Sequence, residues 1–352
     1  MKPAKNIMVF RFSAMGDVAL TLISFKILLE KYPQTQINLV TRSKFSVFFE
    51  NQKGISVIPV DFENYWGIFG LYNLYKHLKK LKPEIVFDLH QNIRTFILKI
   101  FFTFSGIKSY TINKSRKEKK ELITQKKFAL LPHTIQRYLD TFNQSTYFDN
   151  LIFDNNYRQI FDFQAKEYPE VNKFLQNFSE KKLVGIAPFA QHAGKIWPIE
   201  NYKILSEKIK QNFPDSEILF FGGGKKEDDF INKKLKNAGI NLIGKFTLSE
   251  EIYLISRLKL LITGDSSNMH FAAMTGIPVI SIWGATHYFA GFGPVFQALD
   301  NLVEIPKSDL NCRPCSVYGN KPCKRGDYAC LNWINPNMVL EKVNIYLKEA
   351  SL

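Results

Sequence analysis

"IMVFRFSAMGDVALTLISFKILLE", residues 7–30, decides how the chain is read. Four apolar residues form a short strand, a small loop follows, and a long segment with apolar spacing then forms a helix. Such a strand-to-helix turn commonly cradles a dinucleotide with G-x-G-x-x-G, whose glycines let a pyrophosphate approach the backbone. Here Gly16 is the one glycine, and Asp17 stands beside it at the helix start. A carboxylate there repels a phosphate. The turn therefore predicts a Rossmann-like unit whose first loop does something other than hold a nucleotide. Asp17 either serves the helix, as a cap or first-turn dipole partner, or carries chemistry.

Outward from this stretch the strand–helix alternation continues. "QINLVTR", "FSVFFEN", "ISVIPVD", a helix over "GIFGLYNLYKHLKKL" and "EIVFDLH" follow in turn. Short apolar strands separated by amphipathic helices imply a parallel sheet with helices on both faces. The pattern fails at "NKSRKEKKELITQKKF", 113–128, a basic run without a clear apolar face that reads as a surface loop or mobile helix. "HTIQRYLDTF" resumes a helix, and residues 149–168 have the weak periodicity of an inter-domain connection. From "VGIAPF" the alternation restarts, through "EILFFGGG", "INLIG", "LKLLITGD" and "IPVISIWG", and residues 336–350 close the chain with a helix. The expected domains are 1–160 and 161–335, both Rossmann-like α/β units facing each other across a cleft. The terminal helix, 336–352, is expected to pack back on the first.

Composition agrees. At 352 residues the chain suits two domains, with 45% hydrophobic and 22% charged residues. No apolar run reaches the roughly 18 residues of a membrane span. The N-terminus reads directly as a strand, without a secretory apolar region and cleavage site, so a cytoplasmic protein is expected. The formal charge of +15 points to polyanionic partners: nucleic acid, phosphorylated sugars or an anionic membrane face. A lysine-rich but merely solvated surface fits it as well. A nucleic-acid-binding protein would interleave aromatic residues with its basic run, and 113–128 has none before Phe128.

Open α/β sheets bind ligands at the carboxyl ends of their strands, and three such loops in the second half are unusual. "APFAQHAGKIWP", 187–198, sets Lys195 just before a helix, placed to meet a phosphate as a point charge, or simply solvated. "FFGGGKKEDD", 220–229, lets the backbone of Gly223 and Gly224 pass close to a ligand, with Glu227 able to accept from ribose hydroxyls, or makes a flexible turn. "LLITGDSSNMHFAAMTGIPVISIWG", 260–284, ends a buried strand at Asp265 and opens a helix at Ser266 and Ser267. The free N–H groups of that helix form an anion site; Asp265 or Ser266 can equally be an N-cap, and His270 a core histidine.

In their order and separation, "RFSAMGDVALT", "GKIWP", "FGGGKKE" and "GDSSNMHFAAMTGIPVISIWGAT" resemble glycosyltransferase family nine, the ADP-heptose:lipopolysaccharide heptosyltransferases. The later "CRPC" and "CLNWINPNMV" are similar to the cysteine-bearing tail of heptosyltransferase-II-like members. The resemblance implies a GT-B fold with acceptor mainly on the first domain and nucleotide-sugar mainly on the second. It also implies an inverting, metal-independent transfer from ADP-heptose to a lipopolysaccharide inner-core or related phosphorylated glycolipid, with no cofactor. Asp17 matches the catalytic base, Lys195 the lysine at the donor phosphate, and Asp265 with His270 the segment holding diphosphate and sugar. Glu227 is the best match for the ribose contact. The family's glycine after Asp-Ser is Ser267 here, where a side chain can crowd a phosphate or add a hydroxyl donor. Transfer of another nucleotide-activated sugar is the alternative.

Asp17 on the acceptor domain also answers the opening question, since an inverting transfer needs a base opposite the leaving diphosphate. Ser13, Gly16, Lys117, Lys119 and Lys120 are the expected acceptor contacts, with the stretch Lys114–Lys127 bordering the acceptor or meeting the anionic inner-membrane face. The protein would then be peripheral to that membrane, with no nucleic-acid partner. Cys312, Cys315, Cys323 and Cys330 all fall between 312 and 330. In a cytoplasmic protein they are expected to be thiols supporting a loop, with a zinc knuckle as the lesser alternative.

Overall fold

The computed structural model describes residues 3–154, 160, 161, 163 and 167–348. Much of the expected inter-domain connection, Met1 and Lys2, and residues 349–352 of the expected terminal helix lie outside the described residues. The chain divides into two compact units, one of Met1–Arg116 with Pro132–Asp154, the other of Lys117–Leu131 with Asn155–Leu352.

The first unit holds strands β1 (Asn6–Phe10), β2 (Gln36–Thr41), β3 (Ile55–Pro59), β4 (Ile85–Asp88) and β5 (Lys108–Thr111). Its helices are α1 (Met15–Lys31), α2 (Gly67–Lys79), α3 (Ile93–Phe104) and α5 (Thr134–Asn143); α4 (Arg116–Ile123) lies mainly in the stretch grouped with the second unit. The sheet is wholly parallel in the order β3-β2-β1-β4-β5. Side chains alternate between its faces. Met8, Phe10 and Val86 pack with Leu71, Leu74, Leu98 and Phe102 of α2 and α3, whereas Phe87 meets Phe142 of α5 on the other face, ring centroids 4.9 Å apart. The segment "FSVFFEN", expected among the strands, instead forms a short 3-10 helix, Ser43–Phe49, that buries Phe45, Phe48 and Phe49.

The second unit orders six strands as β11-β10-β9-β6-β7-β8, also parallel. In chain order these are β6 (Lys182–Ala187), β7 (Ser216–Phe220), β8 (Ile240–Asn241), β9 (Leu260–Gly264), β10 (Val279–Trp283) and β11 (Leu302–Glu304). Helices α6 (Pro169–Gln176), α7 (Ile199–Asn212), α8 (Lys225–Lys234), α9 (Leu248–Ile255), α10 (Ser267–Thr275), α11 (Ala329–Asn332) and α12 (Pro336–Lys348) accompany them.

Two features differ from the sequence reading. The terminal helix α12 buries Val339, Val343 and Leu347 in the core of the second unit with Trp197 and Tyr202, and Trp197 Nε1 donates to the Ile334 carbonyl at 2.8 Å just before it. The basic run, read as a surface loop or mobile helix, does contain a helix, and that helix is seated by side chains the reading left unassigned. α4 buries Lys119 and Leu122, Phe128 packs against Phe289 at 4.8 Å, and Gln125 Nε2 donates to the Arg313 carbonyl at 2.9 Å. A few apolar side chains spaced among lysines are enough to seat this segment, which a boundary at residue 160 would leave with the first domain.

Candidate functional site

In both sheets the strand order reverses at one place. The chain moves from β1 to β2 and β3 on one side, and returns to β4 and β5 on the other; likewise from β6 to β7 and β8, then to β9, β10 and β11. Loops diverge at such a switch point and leave a crevice at the carboxyl ends of the two central strands. Asp17 in the first unit, and Lys195 with Asp265 in the second, lie there, whereas Glu227 follows β7, one strand away.

In the first unit, the loop after β1 supplies Arg11 and the first turn of α1 supplies Asp17. Arg11 Nη2 pairs with Asp17 Oδ2 at 2.6 Å, with side-chain exposures of 8% and 30%. Arg11 Nη1 donates to the Leu89 carbonyl at 2.6 Å, and its guanidinium lies 5.6 Å from the centre of the Tyr138 ring. The Tyr138 hydroxyl donates to the Asp17 carbonyl oxygen at 3.2 Å. Asp17 does not cap: the N-cap of α1 is Ala14, without a side-chain cap. The capping alternative is thereby set aside, and the carboxylate is held by a cation with one side open to solvent.

Around this pair β4 contributes Asp88, fully buried, whose Oδ1 accepts from the backbone N–H of His90 at 3.0 Å and Gln91 at 2.7 Å. Its Oδ2 pairs with Lys99 at 2.9 Å. Asp88 thus braces the loop that carries His90. Burial, followed by the charges of Arg11 and Lys114, lowers the His90 pKa to about 4, so its imidazole is neutral at physiological pH. Lys114 donates to the Gln91 carbonyl at 3.4 Å, and burial with the nearby Arg11 lowers its pKa. Arg11, His90 and Tyr138 escaped the sequence reading. Of the expected acceptor contacts, Gly16 and Ser13 flank this cluster, but Lys117, Lys119 and Lys120 group with the second unit. Lys119 is buried with its Nζ 4.2 Å from the centre of the Phe292 ring.

In the second unit, Lys195 ends a 3-10 turn after β6 and pairs with Asp265, at the end of β9, at 2.8 Å, both largely buried. Gly264 permits the approach, since a Cβ there would stand 2.5 Å from the Lys195 carbonyl oxygen. Gly319 does the same for the lysine's stem, where a Cβ would stand 2.7 Å from Cγ. The sequence does not show why either position is glycine, because the partner of each is remote in the chain. Ser266 is the N-cap of α10 and makes no side-chain cap; its hydroxyl instead lies 3.0 Å from that of Thr263. Ser267 opens α10, so its amide is among the helix's unsatisfied donors. His270 is buried in α10. After β7, Gly224 starts α8 at φ +82°, and Glu227 Oε2 accepts the Gly223 N–H at 2.7 Å. Burial, partly opposed by that hydrogen bond, raises the Glu227 pKa.

The four cysteines line one cavity of about 390 Å³ with Gln125 and Arg313. Arg313 is the anchor of the segment: it is buried, donates to the Ile305 carbonyl at 2.7 Å, and pairs with Glu304 at 2.9 Å. Among the described residues no group of three or more His, Cys, Asp or Glu side chains is arranged to hold a metal ion. Burial first, then the other thiols, raises the Cys315 pKa and pushes that of Cys330 up to about 12.

Two Rossmann-like units in one chain, each with polar residues at its switch point, make up the architecture of the GT-B glycosyltransferases. The chain belongs to glycosyltransferase family 9 (heptosyltransferase), whose model matches residues 72–324. It is 25% identical over 313 residues to the lipopolysaccharide core heptosyltransferase OpsX of Haemophilus influenzae, covering 86% of this chain and 84% of that protein. It is 31% identical over 180 residues to lipooligosaccharide heptosyltransferase 2 of Campylobacter jejuni, covering 49% of this chain and 53% of the relative. Among solved structures, a family 9 glycosyltransferase of Veillonella parvula has the same fold, with a TM-score of 0.74, 20% identity and 99% of both chains covered. The Escherichia coli ADP-heptose heptosyltransferase II follows at 0.68, with 17% identity and 99% coverage of both.

Proposed function

We propose that this protein transfers heptose from an ADP-activated donor to a lipopolysaccharide inner-core sugar or a related phosphorylated glycolipid, with inversion and without a metal. The observation that carries the reading is the gathering of the family's ordered motifs at the switch points: Asp17 in one unit, Lys195 with Asp265 in the other. Relatives are named heptosyltransferases of lipopolysaccharide or lipooligosaccharide, and the Escherichia coli heptosyltransferase WaaC was solved with ADP and with ADP-2-deoxy-2-fluoro heptose.

In this mechanism Asp17 takes the proton of the acceptor hydroxyl as the new glycosidic bond forms. Arg11 pairs with Oδ2 and so fixes which oxygen faces outward. The leaving diphosphate is compensated by the Lys195 ammonium and the first amides of α10, so the positive charge that a metal would otherwise bring comes from the chain itself. Asp265 orients Lys195, Ser267 adds a hydroxyl donor, His270 meets the donor sugar, and Glu227 with the Gly223–Gly224 turn meets the ribose. The acceptor, a lipid-borne anion, suits an enzyme working at the cytoplasmic face of the inner membrane.

The test is a donor screen. ADP-, UDP- and GDP-sugars are compared by thermal shift, then by mass spectrometry of a heptose-deficient core acceptor. A shift and a mass gain of one heptose with the ADP-sugar alone are expected. A response to another nucleotide-sugar would move the assignment to the alternative transferase, with Ser267 the first position to examine.

A further inference from the structure

The outer surface of α2 and α3 has no place in the chemistry above and is unusual for a soluble helix pair. α3 is apolar on two sides. Leu98 and Phe102 enter the core, while Ile93, Phe96, Ile100 and Phe104 form an exposed stripe. A helix apolar all round is normally enclosed. α2 adds Ile68, Phe69 and Tyr72, with Trp66 just before it; Trp66 is 88%, Phe69 82% and Phe104 87% exposed. The two helices meet beneath these stripes, where Tyr72 touches the part-buried Phe101, ring centroids 5.4 Å apart. Monomeric proteins rarely show contiguous apolar patches of this kind without a binding role.

The charges beside the patch select the occupant. From Tyr65 to Pro83, and again from Leu89 to Lys117, the chain contains no Asp or Glu, but it carries Lys76, Lys79, Lys80, Lys82, Arg94 and Lys108. Lysine is depleted in protein–protein interfaces, whereas exposed Trp and Phe fringed by lysine suit the headgroup layer of an anionic bilayer. The patch also reaches the candidate site. Phe12, next to Arg11, meets Phe62 edge-on at 4.6 Å and the tilted His90 ring at 5.2 Å, and Arg94 lies 5.0 Å from the centre of the Phe62 ring. Trp66 and Ile93, at the starts of α2 and α3, follow the same carboxyl edge of the sheet that presents Asp17.

We propose that the outer faces of α2 and α3 dock on an anionic lipid bilayer, with Trp66, Phe69, Phe96 and Phe104 entering the headgroup region and the lysines meeting phosphates. The purpose of this surface, to bring Asp17 to a membrane-borne acceptor, rests on the function proposed above; the binding itself does not. It replaces the stretch Lys114–Lys127 as the membrane-facing element.

Sedimentation with vesicles of phosphatidylethanolamine and phosphatidylglycerol, against pure phosphatidylcholine, tests it. Preference for the anionic vesicles is expected, with at least about tenfold loss for the triple variant Phe69→Ser, Phe96→Ser, Phe104→Ser and roughly fivefold per lysine for Lys76→Gln and Lys80→Gln. Brominated lipid should quench Trp66, and Trp66→Phe should abolish the quenching but keep binding. The triple variant should retain the wild-type thermal shift with nucleotide-sugar and its turnover on a delipidated acceptor. Undiminished vesicle binding by the triple variant overturns the proposal. So does a dimer in sedimentation velocity that the triple variant dissociates, because a second copy then covers the face. Loss of transfer on the delipidated acceptor by the wild-type protein would count against the enzyme reading alone, since vesicle binding is scored separately.

Discussion

Arg11 and Asp17 flank the loop after β1 and meet at 2.6 Å. Asp17→Asn keeps the shape but cannot take a proton, so kcat should fall by about 10²–10⁴ with donor affinity unchanged, measured by steady-state kinetics and calorimetric titration. Arg11 would at the same time lose its ion partner while buried. A stability cost of about 1–2 kcal/mol follows, below the fully buried case because Asp17 is part-exposed; a lowered melting temperature should accompany the kinetic loss. Lys195→Ala should behave differently, raising the donor KM as well as lowering kcat, because it removes charge from the diphosphate and leaves Asp265 buried without its partner. A turnover of wild-type size in Asp17→Asn would remove the base from the mechanism.

At the scale of elements, α9 carries a half-buried carboxyl, Glu251, in its first turn. Burial raises the Glu251 pKa to about 7. Between the ordinary carboxylate range and pH 7 the folded protein therefore binds a proton that the unfolded chain has released, and stability falls as pH rises across that window. Below it Glu251 is neutral in both states and costs nothing. Glu251→Gln should remove this slope and stabilise the protein at pH 8 by roughly 1–3 kcal/mol, read from urea unfolding at pH 5 and pH 8. The cysteine segment offers a second test. Cys312 is exposed and Cys330 buried, its thiol held protonated. Iodoacetamide at pH 8 should modify Cys312 much faster than Cys330, resolved by peptide mass spectrometry. Equal rates would mean that the cavity opens in solution. What makes α4 legible only in the structure is also an element-scale matter: Lys119 and Leu122 face inward, and one lysine over an aromatic ring leaves no mark on a periodicity count.

At the scale of the whole molecule, two parallel sheets of Rossmann type were written in the alternation of short apolar strands and amphipathic helices, because a sheet buried on both faces needs that pattern. The candidate residues Asp17, Lys195 and Asp265 were legible as well, since each follows a strand at its carboxyl end. Which strands lie side by side was not in the pattern. Strand order places β1 beside β4 and β6 beside β9, and that adjacency alone brings His90 near Arg11 and Asp265 onto Lys195. The same holds for Gly264 and Gly319, whose need for a missing side chain exists only once Lys195 lies against them. The seating of α12 and the exposure of the α2–α3 face were likewise decided in three dimensions. Local sequence determines secondary structure and which residues emerge at strand ends, through periodicity and backbone preference; pairings between residues distant in the chain depend on how those elements pack, and only the tertiary structure sets them.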